Sequence, residues 1–415
     1  MKIRSITCFY DPTDIHANQT FTQFGELIDV ARVAFPNAGY TVQTCRISTI
    51  PFTLMINGGN VRSVINLAKK LEKQAVQAGF DYLSLGPALI EAPESYAMLP
   101  DLLKETNKTF FSGVIADEPN GIRLTAIRAC AQIVNQAAHF EADGFANLRF
   151  SALAYMPPFG PFFPGSFHSK GQPPSIAIAV EGADEVVESF SIAGSLLQAR
   201  ENLILRLEEH ANQMATILSE LLIDTRIVFQ GFDFSVAPFP IDSCSLGNAL
   251  ELLGPGKLGK HGSLAAAAFL ADTLDRGNWP RTGFNGLMLP LLEDSILAKR
   301  SIDQTLSIKD LLMFSAVCGT GLDTIPLPGN TSSQELEALL LDIAALASRL
   351  RKPLTVRAMP VPGKQAGDLT SFDFEYFANG RVLELDSMPL QNLFATDQKS
   401  FSLQPRKQNP PDYTF

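Results

Sequence analysis

The sequence predicts an α/β protein with a mostly parallel sheet, and three observations predict it. Short apolar runs of strand length alternate with amphipathic runs of helical period along most of the chain. Hydrophobic residues make up 46% and charged residues only 18%, so much of the chain is destined for a core. No internal repeat of solenoid or propeller period occurs, and 415 residues is a length that closed α/β barrels reach as one unit.

The strand-like runs are 2–9, 40–47, 82–85, 109–115, 146–153, 175–180, 226–235, 282–290, 323–327 and 355–360, about ten in all. Helices are predicted between them. Residues 61–78 place Val61, Val64, Ile65, Ala68, Leu71 and Ala75 on one face and Lys69, Lys70 and Lys73 on another. The run 185–217 suffices for two helices broken near Gly194. A helix at 263–276 carries four consecutive alanines that allow close backbone approach, and one at 333–350 is rich in Leu and Ala. Residues 156–174 hold six prolines and four phenylalanines and therefore predict an ordered, irregular loop of the kind that often serves function.

Acidic residues outnumber basic ones, 43 to 33, for a net charge of −10. That argues against phosphate neutralisation and a nucleic-acid partner, and in favour of a small molecule. The N-terminus lacks a secretory pattern and no stretch of about 20 apolar residues occurs, so no membrane association is expected. Five scattered cysteines in no C-x-x-C spacing fit a reducing cytoplasm. Cys318, closing a helix, reads as a small buried hydrophobe, and Cys244 has no histidine neighbour in sequence. A homo-oligomer is the default for a chain of this size and class.

The segment GPGKLGKH at 254–261 has phosphate-loop spacing but follows a helical run and ends in His261 where a Ser or Thr belongs, so no nucleotide cofactor motif is present. A helix stop and restart explains its glycines. The amides of Gly262, Ser263 and Leu264 would still open the next helix as an anion site, with His261 beside it. His168, in the proline-rich loop, is a second candidate. Asp233 and Asp323 lie in apolar strands and must be paired, hydrogen-bonded or protonated; a structural ion pair and a catalytic role both satisfy that demand. Glu293 and Asp294 open a helix, either to complement its dipole or as acid/base groups or metal ligands.

Several of these segments resemble an uncharacterised prokaryotic family, domain of unknown function 711. The resemblance runs from about residue 1 to about residue 390. It rests on CRIST with Pro51, the Gly165–His168 loop, DFSVAPFP, KHGSLAAAAFLADTL, FNGLMLPLLED, the run from Cys318 to Pro326, and TVRAMPVPGK at 355–364. It implies a ten-stranded α/β barrel of two five-stranded halves, like that of pyruvate formate-lyase. It further implies a single domain over 1–390 with a polar tail at 391–415. Arg46, Asp233, His261, Glu293, Asp294, Asp323 and Arg357 match polar positions of the family pattern. The radical enzymes require a glycine soon after an Arg-Val, whereas this chain reads NGRVLELD at 379–386, so glycyl-radical chemistry is not expected.

The expected function is acid/base chemistry on a small anionic metabolite, of hydrolase or lyase type. His261, Asp233 or Asp323 would move protons. Arg46, His168, Gly262, Ser263 and Arg357 would bind substrate, and Glu293 with Asp294 would hold a divalent cation such as magnesium, manganese or calcium. The alternative is a metabolite-binding or regulatory protein without chemistry, since no complete triad or cofactor fingerprint is present.

Overall fold

A computed structural model of the chain describes residues 1–56, 60–317 and 319–405. Cys318 and the tail beyond residue 405 lie outside the described residues. The strands are β1 (Lys2–Tyr10), β2 (Cys45–Pro51), β3 (Tyr82–Gly86), β4 (Thr109–Asp117), β5 (Gly121–Arg123), β6 (Phe150–Ala154), β7 (Ser175–Glu181), β8 (Val228–Ala237), β9 (Gly321–Pro328), β10 (Leu354–Val361) and β11 (Ser400–Phe401), accompanied by eleven α-helices among the described residues. No helix among them is long and apolar enough to cross a membrane.

One sheet orders its main strands β8-β7-β1-β2-β3-β4-β6-β10-β9. Neighbours along it are parallel except at β7–β1 and β6–β10. The mostly parallel expectation therefore holds. The strands β2, β6, β7 and β10 are buried throughout, as strands of a sheet covered by helices require.

The sheet is not closed by hydrogen bonding into the expected ten-stranded barrel: its path ends at β8 and β9. The missing strand is the one expected at 282–290, which is irregular. Its ladder pairing with β8 and β9 is limited to isolated bridges, Phe232–Arg281 at its edge and Pro290–Asp323. The cause is Asp233 on β8. Its carboxylate accepts the amides of Phe284 at 2.7 Å and Asn285 at 3.0 Å, so those donors are lost to any ladder. Gly283 turns at φ +74°, and a Cβ there would meet Asp233 Oδ2 at 2.2 Å.

The loop 156–174 runs against one face of the strands, where small hydroxyl side chains stand beside aromatic ones such as Phe9 against Phe159 and Phe110 against Phe163. Ser5 and Thr7 of β1 donate to the Pro161 carbonyl at 3.2 and 3.0 Å. Ser84 of β3 donates to the Ser166 carbonyl at 2.7 Å, and Ser48 of β2 pairs with the Ser166 hydroxyl at 2.6 Å. Backbone polar groups of a buried loop must find partners, and here the strands supply them.

Helix bounds follow their caps. Asn60 caps Val61–Gln77, a capping box of Ser332 and Glu335 opens Ser333–Leu350, and Ser195 restarts the chain as Leu196–Leu221 after Ala183–Ser191 ends. The last two confirm the break near Gly194. The helix Ala17–Asn37, absent from the expectation, buries Phe24, Leu27, Ile28, Ala31 and Phe35 at helical spacing.

Candidate functional site

Four strands aim charged side chains into one pocket with about 660 Å³ of empty space: Arg4 from β1, Arg46 from β2, Asp323 from β9 and Arg357 from β10, joined by Glu293. Bulges do part of the aiming. In β1 the pairing with β7 shifts between Ile3 and Ser5, leaving Arg4 out of register. Between β9 and β10, Asp323 and Thr324 together oppose Arg357, with Thr324 at φ +46°. Such extra residues interrupt the two-residue alternation and re-aim a side chain.

An ionic chain crosses the pocket. Arg357 donates to Asp323 through Nε at 2.5 Å and Nη2 at 2.9 Å, and the same Nη2 donates to Glu293 Oε1 at 2.9 Å. Glu293 Oε2 accepts from Arg4 at 2.7 Å. Burial acts to lower Arg357, but Asp323 and Glu293 outweigh it and raise the guanidinium above its usual range.

Arg46 differs. It is 9% exposed, its one hydrogen bond among the described residues runs from Nε to Thr44 Oγ1 at 2.9 Å, and no described carboxylate forms an ion pair with it. Its guanidinium carbon lies 5.1 Å from the Phe163 ring centroid and 5.9 Å from that of Tyr82. Burial, with Arg4 nearby, pushes it down to about 10. It still carries a full charge at neutral pH, held in a desolvated place without a counter-ion.

The other expected site residues do not join this pocket. Asp233 is wholly buried, and besides the two loop amides it accepts the Ser235 hydroxyl at 2.5 Å; burial pushes it up to about 6. It is a clamp on the irregular segment. Asp294 points away from its neighbour Glu293. It caps the helix Ser295–Ile302 by accepting from Ile296 and Leu297, and also takes the Ser245 hydroxyl and the Gly247 amide. The Glu293/Asp294 pair thus does not converge on a cation, and among the described residues no cluster of three or more His, Cys, Asp or Glu is placed to hold a metal.

His261 is exposed in the turn before the helix Ser263–Arg276, outside the pocket lining. Gly262 precedes that helix at φ +100°, and the Ser263 hydroxyl accepts the Gly259 amide at 3.1 Å. These are the restart of a helix after a stop, as the glycines allowed. His168 is 1% exposed and borders a separate surface cleft beside Asp11 and Gln172. Its Nε2–H donates to the Gln172 carbonyl at 3.2 Å, and burial lowers it to about 4, so it is neutral.

Sequence reasoning missed Arg4, Tyr82 and the pair Phe374 and Tyr376 in this pocket. Arg4 was visible as a charge inside an apolar strand, and the aromatic density of SFDFEYF at 371–377 was a signal for the last two.

Together these features define an α/β protein with a partly open, arginine-rich pocket on one side of its sheet. The chain belongs to the family described as Uncharacterised ACR (DUF711), whose family model matches residues 1–379. It is similar to the UPF0210 proteins of Acetivibrio thermocellus (29% identical, covering 80% of this chain and 77% of the relative) and Pyrobaculum aerophilum (31%, covering 80% and 76%). The UPF0210 protein of Pyrobaculum islandicum is 29% identical over 86% of this chain and 81% of the relative.

Proposed function

We propose that this protein binds a small anionic metabolite in the pocket and performs acid/base chemistry on it. One observation carries the reading: Arg46 is a buried guanidinium without a carboxylate partner, a cost that a bound anion would offset. Asp323 and Glu293 are the carboxylates facing the same space, so they are the proton-transferring candidates, with Arg357 and Arg4 fixing their orientation. His261 and Asp233 drop out of that role. The two single bridges that link β8 and β9 through residues 281–290 support reading the fold as a barrel completed by an irregular tenth element.

A second reading, binding without chemistry, is favoured by the bidentate pairing of Asp323 with Arg357, which leaves no idle base. Thermal-shift screening of small anions, with and without magnesium, manganese and calcium, tests the shared part. Anions should raise the melting point of the natural chain and not that of Arg46→Met. A response unchanged in Arg46→Met removes the site. Asp323→Asn then separates the readings: loss of turnover with retained binding marks chemistry.

A further inference from the structure

Building on the anion reading, we infer that the ligand is a flat aromatic monocarboxylate with a hydrogen-bonding group at the end away from its carboxylate. Three independent observations converge on that class. The first is charge. Three guanidiniums face two carboxylates in the pocket, and Arg4 and Arg357 are engaged by Glu293 and Asp323, which leaves Arg46 to take a single negative charge. A phosphate dianion or a dicarboxylate would need a second idle cation.

The second is the wall. Tyr82, Phe110 and Phe163 form a continuous edge-to-face series with centroids 5.3 and 5.4 Å apart, and Arg46 lies against both ends of it. Phe374 and Tyr376, 5.2 Å apart, supply further ring surface in the same lining, with Arg4 4.9 Å from the Tyr376 centroid. A planar π face fits between such surfaces better than a flexible or strongly hydrated body.

The third is an inner recess with room for about one water-sized group, which shares Phe162, Phe163, Met288, Asp323 and Arg357 with the pocket. Ser151 of β6 lines it, 0% exposed, and its hydroxyl has no hydrogen-bond partner. The other hydroxyls lining it are spoken for, since Thr355 donates to the Thr320 carbonyl at 3.0 Å and Thr320 to the Leu287 carbonyl at 2.7 Å; Ser112 of β4, opposite Ser151 in register but outside the lining, is likewise unpartnered. An orphaned buried hydroxyl in a polar-edged recess is an open position for a ligand oxygen.

Equilibrium binding of benzoate, 3- and 4-hydroxybenzoate, cyclohexanecarboxylate, glutarate and inorganic phosphate to the natural chain, Arg46→Met and Ser151→Ala tests this. Loss of an unpartnered hydroxyl leaves folding intact, so Ser151→Ala is a clean comparison. Expected is tighter binding of benzoate than of cyclohexanecarboxylate, glutarate or phosphate. One hydroxybenzoate should gain about fivefold over benzoate, and that gain should vanish in Ser151→Ala while benzoate is unaffected. A gain that survives Ser151→Ala, or no gain at all, overturns the inference and leaves the recess to water. If glutarate or phosphate binds through Arg46 and aromatic carboxylates do not, the anion reading stands and this one falls. If no anion depends on Arg46, both fall together.

Discussion

Replacing Arg46 by Met should stabilise the empty protein while abolishing anion binding. Burial and neighbouring cations bring this guanidinium from 12.5 to about 10, and at about 1.4 kcal/mol per tenfold change that bounds the cost of holding its charge at about 3 kcal/mol. The cost is fully present below pH 10 and relieved only above it, so at neutral pH it burdens the fold. Methionine keeps the aliphatic stem against Phe163 and Tyr82 but forfeits the bond to Thr44, worth about 1.5 kcal/mol, and a ring contact worth about 0.5 kcal/mol. The net gain is about 1 kcal/mol. A chain of 415 residues unfolds with about 0.9 kcal/mol/K of entropy, so Tm should rise by about 1 °C. Calorimetry on Arg46→Met beside Arg357→Met makes the contrast decisive. The second change strands Asp323 and leaves Glu293 with Arg4, and should cost about 3–5 kcal/mol. A fall of several degrees in Arg46→Met would show that Arg46 holds the fold together, and the idea of a charge kept for a ligand would be wrong.

Asp233→Asn should cost about 2–3 kcal/mol in urea unfolding, because an amide nitrogen then faces donors that the carboxylate accepted. Since burial raises Asp233 from 3.8 to about 6, its charged form is disfavoured in the folded chain. Its contribution to stability is fully present below about pH 4 and lost as pH rises through 6, a slope that the Asn variant should lack. Asp294→Ala should lower stability by about 2–3 kcal/mol by orphaning the donors it caps, while leaving any melting-point response to divalent cations unchanged.

What could be read from the chain was whatever local chemistry decides. The helices at 263–276 and 333–350 match the observed bounds because glycine and serine at their starts mark those bounds in the sequence. Asp323 was noticeable as a charge in an apolar strand, Glu293 as a charge at a helix start, and Arg46 and Arg357 through the resemblance to the family pattern, and these four meet in the pocket. The charge of Arg4 was equally visible but its aim was not, because the bulge at that position depends on pairing with β7, a partner distant in sequence that no local pattern encodes. Residues 282–290 have strand-like composition, yet Asp233 takes their amides, a long-range competition invisible to periodicity. His261 lies apart from that pocket for a related reason: the glycines around it predicted a turn, and the turn faces water.

The hydroxyls that bind the proline-rich loop to β1, β2 and β3 have a consequence for selectivity. Phe162 and Phe163 belong to that loop, so the sheet itself holds these rings in place, and they act as a fixed gauge instead of a swinging cover. A guest in the proposed pocket would therefore be sorted by whether its thickness matches a slot already cut.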